Sequence, residues 1–184
     1  MKREPLDLVV SLDISVSMNK SYSDMTPSKL AASKEAILLI SGRLLEYKHN
    51  RLGLVAFYGQ SIPLLPLTNN RQKLIDTLYK LTFTGEGSAP GDGIAEAVKL
   101  LRQSRPGRRK QVIMITDGEI NQGAPLEAAA LYARNMDVRV DIIIIGDKPR
   151  RMEAFMSAAK ITGGTYAQVG AKNQLFSRVI EVIR

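Results

Sequence analysis

Leu8-Val9-Val10-Ser11-Leu12-Asp13-Ile14-Ser15-Val16-Ser17-Met18 begins as an apolar run and ends on three evenly spaced oxygen-bearing side chains. Residues 8–12 read as a strand, a short apolar run interrupted only by Ser11. If the backbone stays extended beyond Leu12, Asp13, Ser15 and Ser17 point one way, and Ile14 and Val16 anchor the segment on the other. A buried strand that delivers a carboxylate and two hydroxyls at its carboxyl end belongs to the architecture in which ligands sit outside the ends of parallel strands.

The rest of the chain fits that architecture. Apolar runs alternate with longer stretches of helical period, the pattern of a mostly parallel sheet with helices on both faces. Strands are expected at 7–12, 52–58, 61–66, 111–116, 138–145 and 165–167, and helices at 28–46, 71–81, 90–103, 125–134, 150–160 and 173–183. Val112-Ile113-Met114-Ile115 and Ile142-Ile143-Ile144-Ile145 are apolar throughout, as strands buried on both faces are. Only Gly59-Gln60 and their neighbours separate the second and third strands, which predicts a hairpin and hence one antiparallel edge strand. No repeat, low-complexity tract or long linker divides the chain, so residues 1–184 are expected to form a single domain.

Composition narrows the chemistry. With 184 residues, 45% of them hydrophobic, the chain can bury a core without covalent staples. It has no cysteine, which excludes disulfides, thiolate metal sites and a cysteine nucleophile. The one histidine, His49, follows the first helix and reads as a helix-end or surface residue. No signal peptide and no apolar run of membrane-spanning length is visible. The chain is expected to be soluble and cytoplasmic, although Lys2-Arg3 would also suit the flank of a membrane segment in a tethered parent protein. The net charge of +8 is concentrated in two clusters, Arg102, Arg105, Arg108, Arg109 and Lys110, and Lys148, Arg150 and Arg151. No aromatic residues interleave with the first, which speaks against nucleic acid and for solvated loops.

Two further segments join Asp13 at the same sheet edge. The strand at 111–116 runs into Asp117-Gly118, bringing a second carboxylate. Gly85-Glu86-Gly87-Ser88-Ala89-Pro90-Gly91-Asp92 is a glycine-rich loop before a helix, with Ser88 placed to cap it. Glu86, Asp92 and Glu119 read as a solvated rim.

The pattern Asp13-x-Ser15-x-Ser17, then a hydroxyl at Ser88, then Asp117, resembles the metal-ion-dependent adhesion site (MIDAS) of the von Willebrand factor A (VWA) domain family. The resemblance extends to Arg51-Leu-Gly-Leu-Val-Ala-Phe57, Leu64-Leu-Pro-Leu-Thr68 and Thr162-Gly-Gly-Thr-Tyr166. It implies a Rossmann-like, doubly wound α/β fold with strand order 3-2-1-4-5-6. It also implies a metal set of Asp13, Ser15, Ser17, Ser88 and Asp117, with Ser88 direct in an open state and Asp117 often acting through water. The family usually has threonine where this chain has Ser88, so the oxygen is kept and the methyl that restricts χ1 is lost. Carboxylate, hydroxyl and water are hard ligands suited to Mg²⁺, with Mn²⁺ or Ca²⁺ as alternatives.

These residues lead to the expectation of a binding module rather than an enzyme: a divalent ion grips an Asp or Glu of a protein partner, which the cluster at Lys148, Arg150 and Arg151 helps to attract. The alternative within that class is a subunit of a chelatase-like or chaperone-like AAA+ assembly, or of a membrane complex. The weaker enzymatic alternative is a Mg²⁺-dependent phosphohydrolase of the haloacid-dehalogenase kind with Asp13 as nucleophile. That chemistry needs a second Asp two residues on, where this chain has Ser15. A dinucleotide site fails because Gly85, Gly87 and Gly91 have the wrong spacing and do not follow the first strand.

Overall fold

A computed structural model describes residues 4–183, so the expectation attached to Lys2-Arg3 lies outside the described residues. The chain runs β1 (Leu6–Asp13), α1 (Lys29–Leu45), β2 (Arg51–Phe57), β3 (Ser61–Thr68), α2 (Arg71–Lys80), α3 (Pro90–Leu101), β4 (Arg109–Thr116), α4 (Leu126–Asn135), β5 (Arg139–Ile145), α5 (Met152–Ile161), β6 (Tyr166–Val169) and α6 (Lys172–Val182). The strands form one six-stranded sheet in the order β3-β2-β1-β4-β5-β6. Every neighbouring pair is parallel except the β2–β3 hairpin, whose register shifts around Leu54.

The all-apolar strands are explained by two helical layers. Leu8, Val10 and Leu12 pack with Ile37 and Ile40 of α1, Leu74 of α2 and Val179 of α6. Val9, Val112, Met114, Ile142 and Ile144 face the other way, against Ile94 and Val98 of α3, Ala130 of α4 and Phe155 of α5. Successive side chains of a strand point to opposite faces, so each layer takes every second residue. On the second face α3 approaches closely because it carries Gly93. A Cβ there would stand 2.6 Å from the Phe57 ring and 2.8 Å from Ser11 Oγ.

The edge carrying the amino ends of β1 and β4 is held by charge. Asp7 is fully buried, yet it accepts from Arg51 Nε (2.9 Å) and Nη2 (2.6 Å) and from Arg108 Nη2 (2.6 Å). Arg108 also donates to the His49 carbonyl, and the exposed His49 ring meets Tyr47 edge-on at 5.2 Å. Arg108 is therefore no part of a solvated loop, as the charge pattern suggested. Its partner lies 101 residues earlier in the chain, beyond the reach of any local reading.

Burial by itself would raise the Asp7 pKa, but the bonds from Arg51 and Arg108 outweigh it and bring it down to about 2. The stability it contributes is complete above its ordinary value of 3.8 and is lost as the pH falls from there toward 2. Removing one partner of such a network leaves the others buried without a counter-charge. Asp7→Ala is expected to cost about 3 kcal/mol at neutral pH, read as a lower urea midpoint with unchanged slope.

Candidate functional site

The order β2-β1-β4 makes the gap between β1 and β4 the point where the winding of the sheet reverses. Crevices outside the carboxyl ends of strands form at such points. Asp13 is the last residue of β1, and Asp117 directly follows β4.

The chain turns immediately after Asp13. Ser15 N donates to Asp13 Oδ1 at 2.9 Å, and residues Val16–Asn19 form a 3-10 turn. The extended alternation expected for residues 13–17 therefore stops at Asp13. Ile14 is buried, but Val16 is 42% exposed, and Met18 supplies the second apolar anchor instead. The hydroxyls stay together nonetheless, with Ser15 Oγ 3.1 Å from Ser17 Oγ. A side chain accepting from a backbone N–H two residues on is what Asp does at turns, and here it folds the serines back toward its own carboxylate.

Ser88 is brought in by the loop before α3. Its side chain does not cap that helix, whose N-cap is Ala89 with no side-chain bond. Instead Ser88 Oγ is buried and donates to Asp13 Oδ2 at 3.3 Å. The loop is held by Ala89 N to the Tyr58 carbonyl (2.7 Å), Ser88 N to Asn121 Oδ1 (2.7 Å), and Asn121 N and Gln122 N to the Ser88 carbonyl (both 3.2 Å). Asp92, expected on a solvated rim, accepts from Ala124 N at 2.9 Å and fastens the segment after β4 to α3. Glu86 and Glu119 are exposed, as expected.

Two participants escaped the sequence reading. Thr116 Oγ1 donates to Asp13 Oδ2 at 2.6 Å and accepts from Gly118 N at 3.1 Å. It is the last residue of a strand that looks purely structural, and only its position opposite the end of β1 could have pointed to it. Lys29 Nζ lies 2.7 Å from Asp117 Oδ2, with only 11% and 7% of the two side chains exposed. The other oxygen, Asp117 Oδ1, is buried without a hydrogen-bond partner among the described residues. Buried carboxylate oxygens are normally satisfied.

Asp13 is completely buried, and burial is the main reason its pKa is pushed up to about 6. The nearby Asp117 charge adds to the rise, against the opposing bonds from Ser15 and Thr116. Ser17, Lys29 and Asp117 open onto a cleft of about 670 Å³ that Lys20, Lys148, Arg150 and Arg151 also line. A larger cleft of about 870 Å³ lies at the other edge, lined by Arg109, Lys110, Arg134, Arg139 and Lys160. Four of those cations have local work: Arg134 and Lys160 sit in the last turns of α4 and α5, Lys110 donates to the Met136 carbonyl, and Arg139 clasps Asp141. Cations there complement the negative ends of helices. Among the described residues no group of three or more His, Cys, Asp or Glu could hold a metal ion, so no carboxylate-rich centre competes with the cleft.

The sequence profile of the von Willebrand factor type A domain matches residues 8–119. The chain belongs to this family. A Borreliella burgdorferi protein is 31% identical over 166 residues, covering 88% of this chain and 46% of its own length. The chain thus spans about half the length of the curated relatives it matches. An aerotolerance-related membrane protein of Bacteroides fragilis superposes with a TM-score of 0.79 over 97% of this chain and 98% of its own, at 22% identity. Proximal thread matrix protein 1 of the mussel byssus, solved with a zinc-occupied MIDAS motif, gives 0.81 over 98% of this chain and 45% of its own, at 20% identity. At those identities the two structures establish the likeness of fold. Domains of the family are generally protein-interaction modules. Among the described residues no helix is long and apolar enough to cross a membrane.

The raised Asp13 pKa has a sign that can be checked. Between the usual 3.8 and about 6 the native state holds a proton that the unfolded chain has released. Stability of the metal-free protein is therefore expected to fall as pH rises through that window, by at most about 3 kcal/mol. Asp13→Asn should flatten this segment of the stability profile, measured by urea unfolding in the presence of EDTA.

Proposed function

We propose that this domain is a divalent-metal-dependent protein-binding module in which Asp13, Ser15, Ser17, Ser88 and Asp117 hold Mg²⁺, or Mn²⁺ or Ca²⁺ in its place. The observation that carries the reading is the pair of carboxylates at the switch point, one wholly buried and ringed by hydroxyls, the other with a buried oxygen that has no donor among the described residues. Such a set fits a hard cation: it offers only oxygen, and each neutral member is small enough to approach a compact ion. The zinc-occupied site of the mussel protein is what a relative of the same fold shows for a divalent ion.

The residues divide the work. Asp13 supplies charge, and its burial keeps water from competing for it. Ser15 and Ser17 lie on the turn that Asp13 itself organises, Ser88 arrives on a loop braced by Asn121, and Thr116 holds Asp13 Oδ2 from the neighbouring strand. A bound divalent ion would act as a Lewis acid toward an oxygen ligand of a partner. The partner best matched to the surroundings is a protein offering one Asp or Glu within an acidic surface, because Lys20, Lys148, Arg150 and Arg151 line the same cleft. None of the five residues is partnered by a histidine or cysteine that would serve as acid, base or nucleophile, which supports recognition over bond breaking. Attachment to a membrane complex is compatible with the Bacteroides fragilis neighbour.

Saturating Mg²⁺ or Mn²⁺ should raise the melting temperature. At a concentration about 100 times Kd the stabilisation is about 2.7 kcal/mol, or roughly 5–10 °C for a chain of this size. Asp13→Ala should remove the increment, and an identical response of both proteins to metal and EDTA would refute the site.

The rim is tested separately, on a partner captured in the presence of Mg²⁺ and released by EDTA. Replacing Lys148, Arg150 and Arg151 with Ser should slow association by about tenfold at low ionic strength and flatten its salt dependence. Replacing Arg102, Arg105 and Arg109 should change neither. Equal effects from the two sets would mean that the binding face is not the carboxyl edge.

A further inference from the structure

We propose that Lys29 is a built-in counter-cation of the ion site: it neutralises Asp117 while the site is free of metal, and it competes with the divalent ion for that carboxylate. The proposal rests on the metal-site reading above and adds a residue that sets how tightly the ion is held.

Three observations converge on Lys29. Its ammonium is 2.7 Å from Asp117 Oδ2, and both side chains are largely withdrawn from solvent. Ion pairs on open surfaces form and dissolve at little cost, but a pair this dry must be held by its geometry. The second observation is local. Lys29 is the first residue of α1, and no acidic residue stands in that first turn. The start of a helix carries a partial positive charge, so a lysine there is disfavoured. Ser28 caps the helix through Ala31 N at 3.1 Å, and Lys29 N is fixed to the Lys20 carbonyl at 2.9 Å. The cation is held where the helix does not favour it, and among the described residues its one hydrogen-bonded partner is Asp117. A local choice at odds with its element and satisfied only at a ligand cleft marks a functional position.

The third observation is the asymmetry of Asp117. Lys29 occupies Oδ2, while Oδ1 is buried with no partner among the described residues. A residue that only closed a structural ion pair would leave no reason for the second oxygen to lie buried and unsatisfied. One oxygen is held by an internal cation and the other is kept for an external one.

Charge gives the consequence. Two carboxylates against one ammonium leave the empty site with a single net negative charge, moderate enough to bury. A divalent ion then leaves the filled site net positive, and this favours a further carboxylate from a partner. Without Lys29 the filled site would be neutral, with a stronger hold on metal and a weaker claim on an acidic ligand.

The test uses Mn²⁺ alone, titrated calorimetrically into metal-free wild type, Lys29→Met, Lys29→Gln and Lys29→Arg, with unfolding of each protein in EDTA. Lys29→Met and Lys29→Gln are expected to bind Mn²⁺ about tenfold more tightly than wild type and to melt at a lower temperature without metal. Lys29→Arg, which keeps the charge, should stay near wild type in affinity. A purely structural pair would lower the melting temperature without any gain in affinity. Unchanged or weaker Mn²⁺ binding in both neutral variants, while wild type binds in an Asp13-dependent way, would overturn the role of Lys29 and leave the metal site standing. Wild type that does not bind Mn²⁺, or binds it equally after Asp13→Ala, would overturn both.

Discussion

A carboxylate buried at the end of the central strand is the constraint around which this protein is arranged. Asp13 has no exposed surface and, among the described residues, no basic side chain bonded to it, so hydroxyls and a backbone amide satisfy it: Ser15 N, Ser88 Oγ and Thr116 Oγ1. Each donor comes from a different part of the chain, which means that the turn after β1, the loop before α3 and the end of β4 must all be in place together. Their own supports, Tyr58, Asn121 and Asp92, follow from that need.

The opposite edge solves the same electrostatic problem differently. Asp7 and Asp141 are equally buried, but Asp7 is clasped by two arginines, and Asp141 by Arg139 with Gln111 and Thr165. Charge there is cancelled within the fold. At the carboxyl edge it is left incompletely cancelled, and the difference separates a scaffold from a candidate site. Of the three buried aspartates, Asp7 is driven toward strong acidity and Asp13 toward weak acidity by surroundings of opposite kind.

Much of the architecture was legible in the residues. Strands such as Val112 to Ile115 could only be buried on both faces, and the short link at Gly59-Gln60 could only close a hairpin. The strand order followed from the family resemblance, and the observed sheet has it. Where the reading departed from the structure, one reason is local and the others are tertiary. Alternation from Asp13 to Ser17 suggested an extended chain, but the Asp13 carboxylate captures the Ser15 amide and bends it, leaving Val16 outside. Ser88 looked like a helix cap because the residue types that cap helices are also those that hydrogen-bond a neighbouring carboxylate, as Ser88 does with Asp13. Thr116, Lys29 and the anchoring of Arg108 were not readable, since each depends on a partner 88 to 103 residues away.

The borders of the sheet bear on how the molecule can be met by others. At one side β3 carries Pro63 and Pro66, neither of which has an N–H to offer an incoming strand, and its pairing with β2 is already irregular near Leu54. At the other side β6 is only four residues long. A guest chain seeking to extend the sheet would find an interrupted row of donors at one flank and a truncated one at the other, which is how proteins guard against unwanted edge pairing. Sideways growth is thereby discouraged, and end-on encounter at the tips of the parallel strands is left as the open approach.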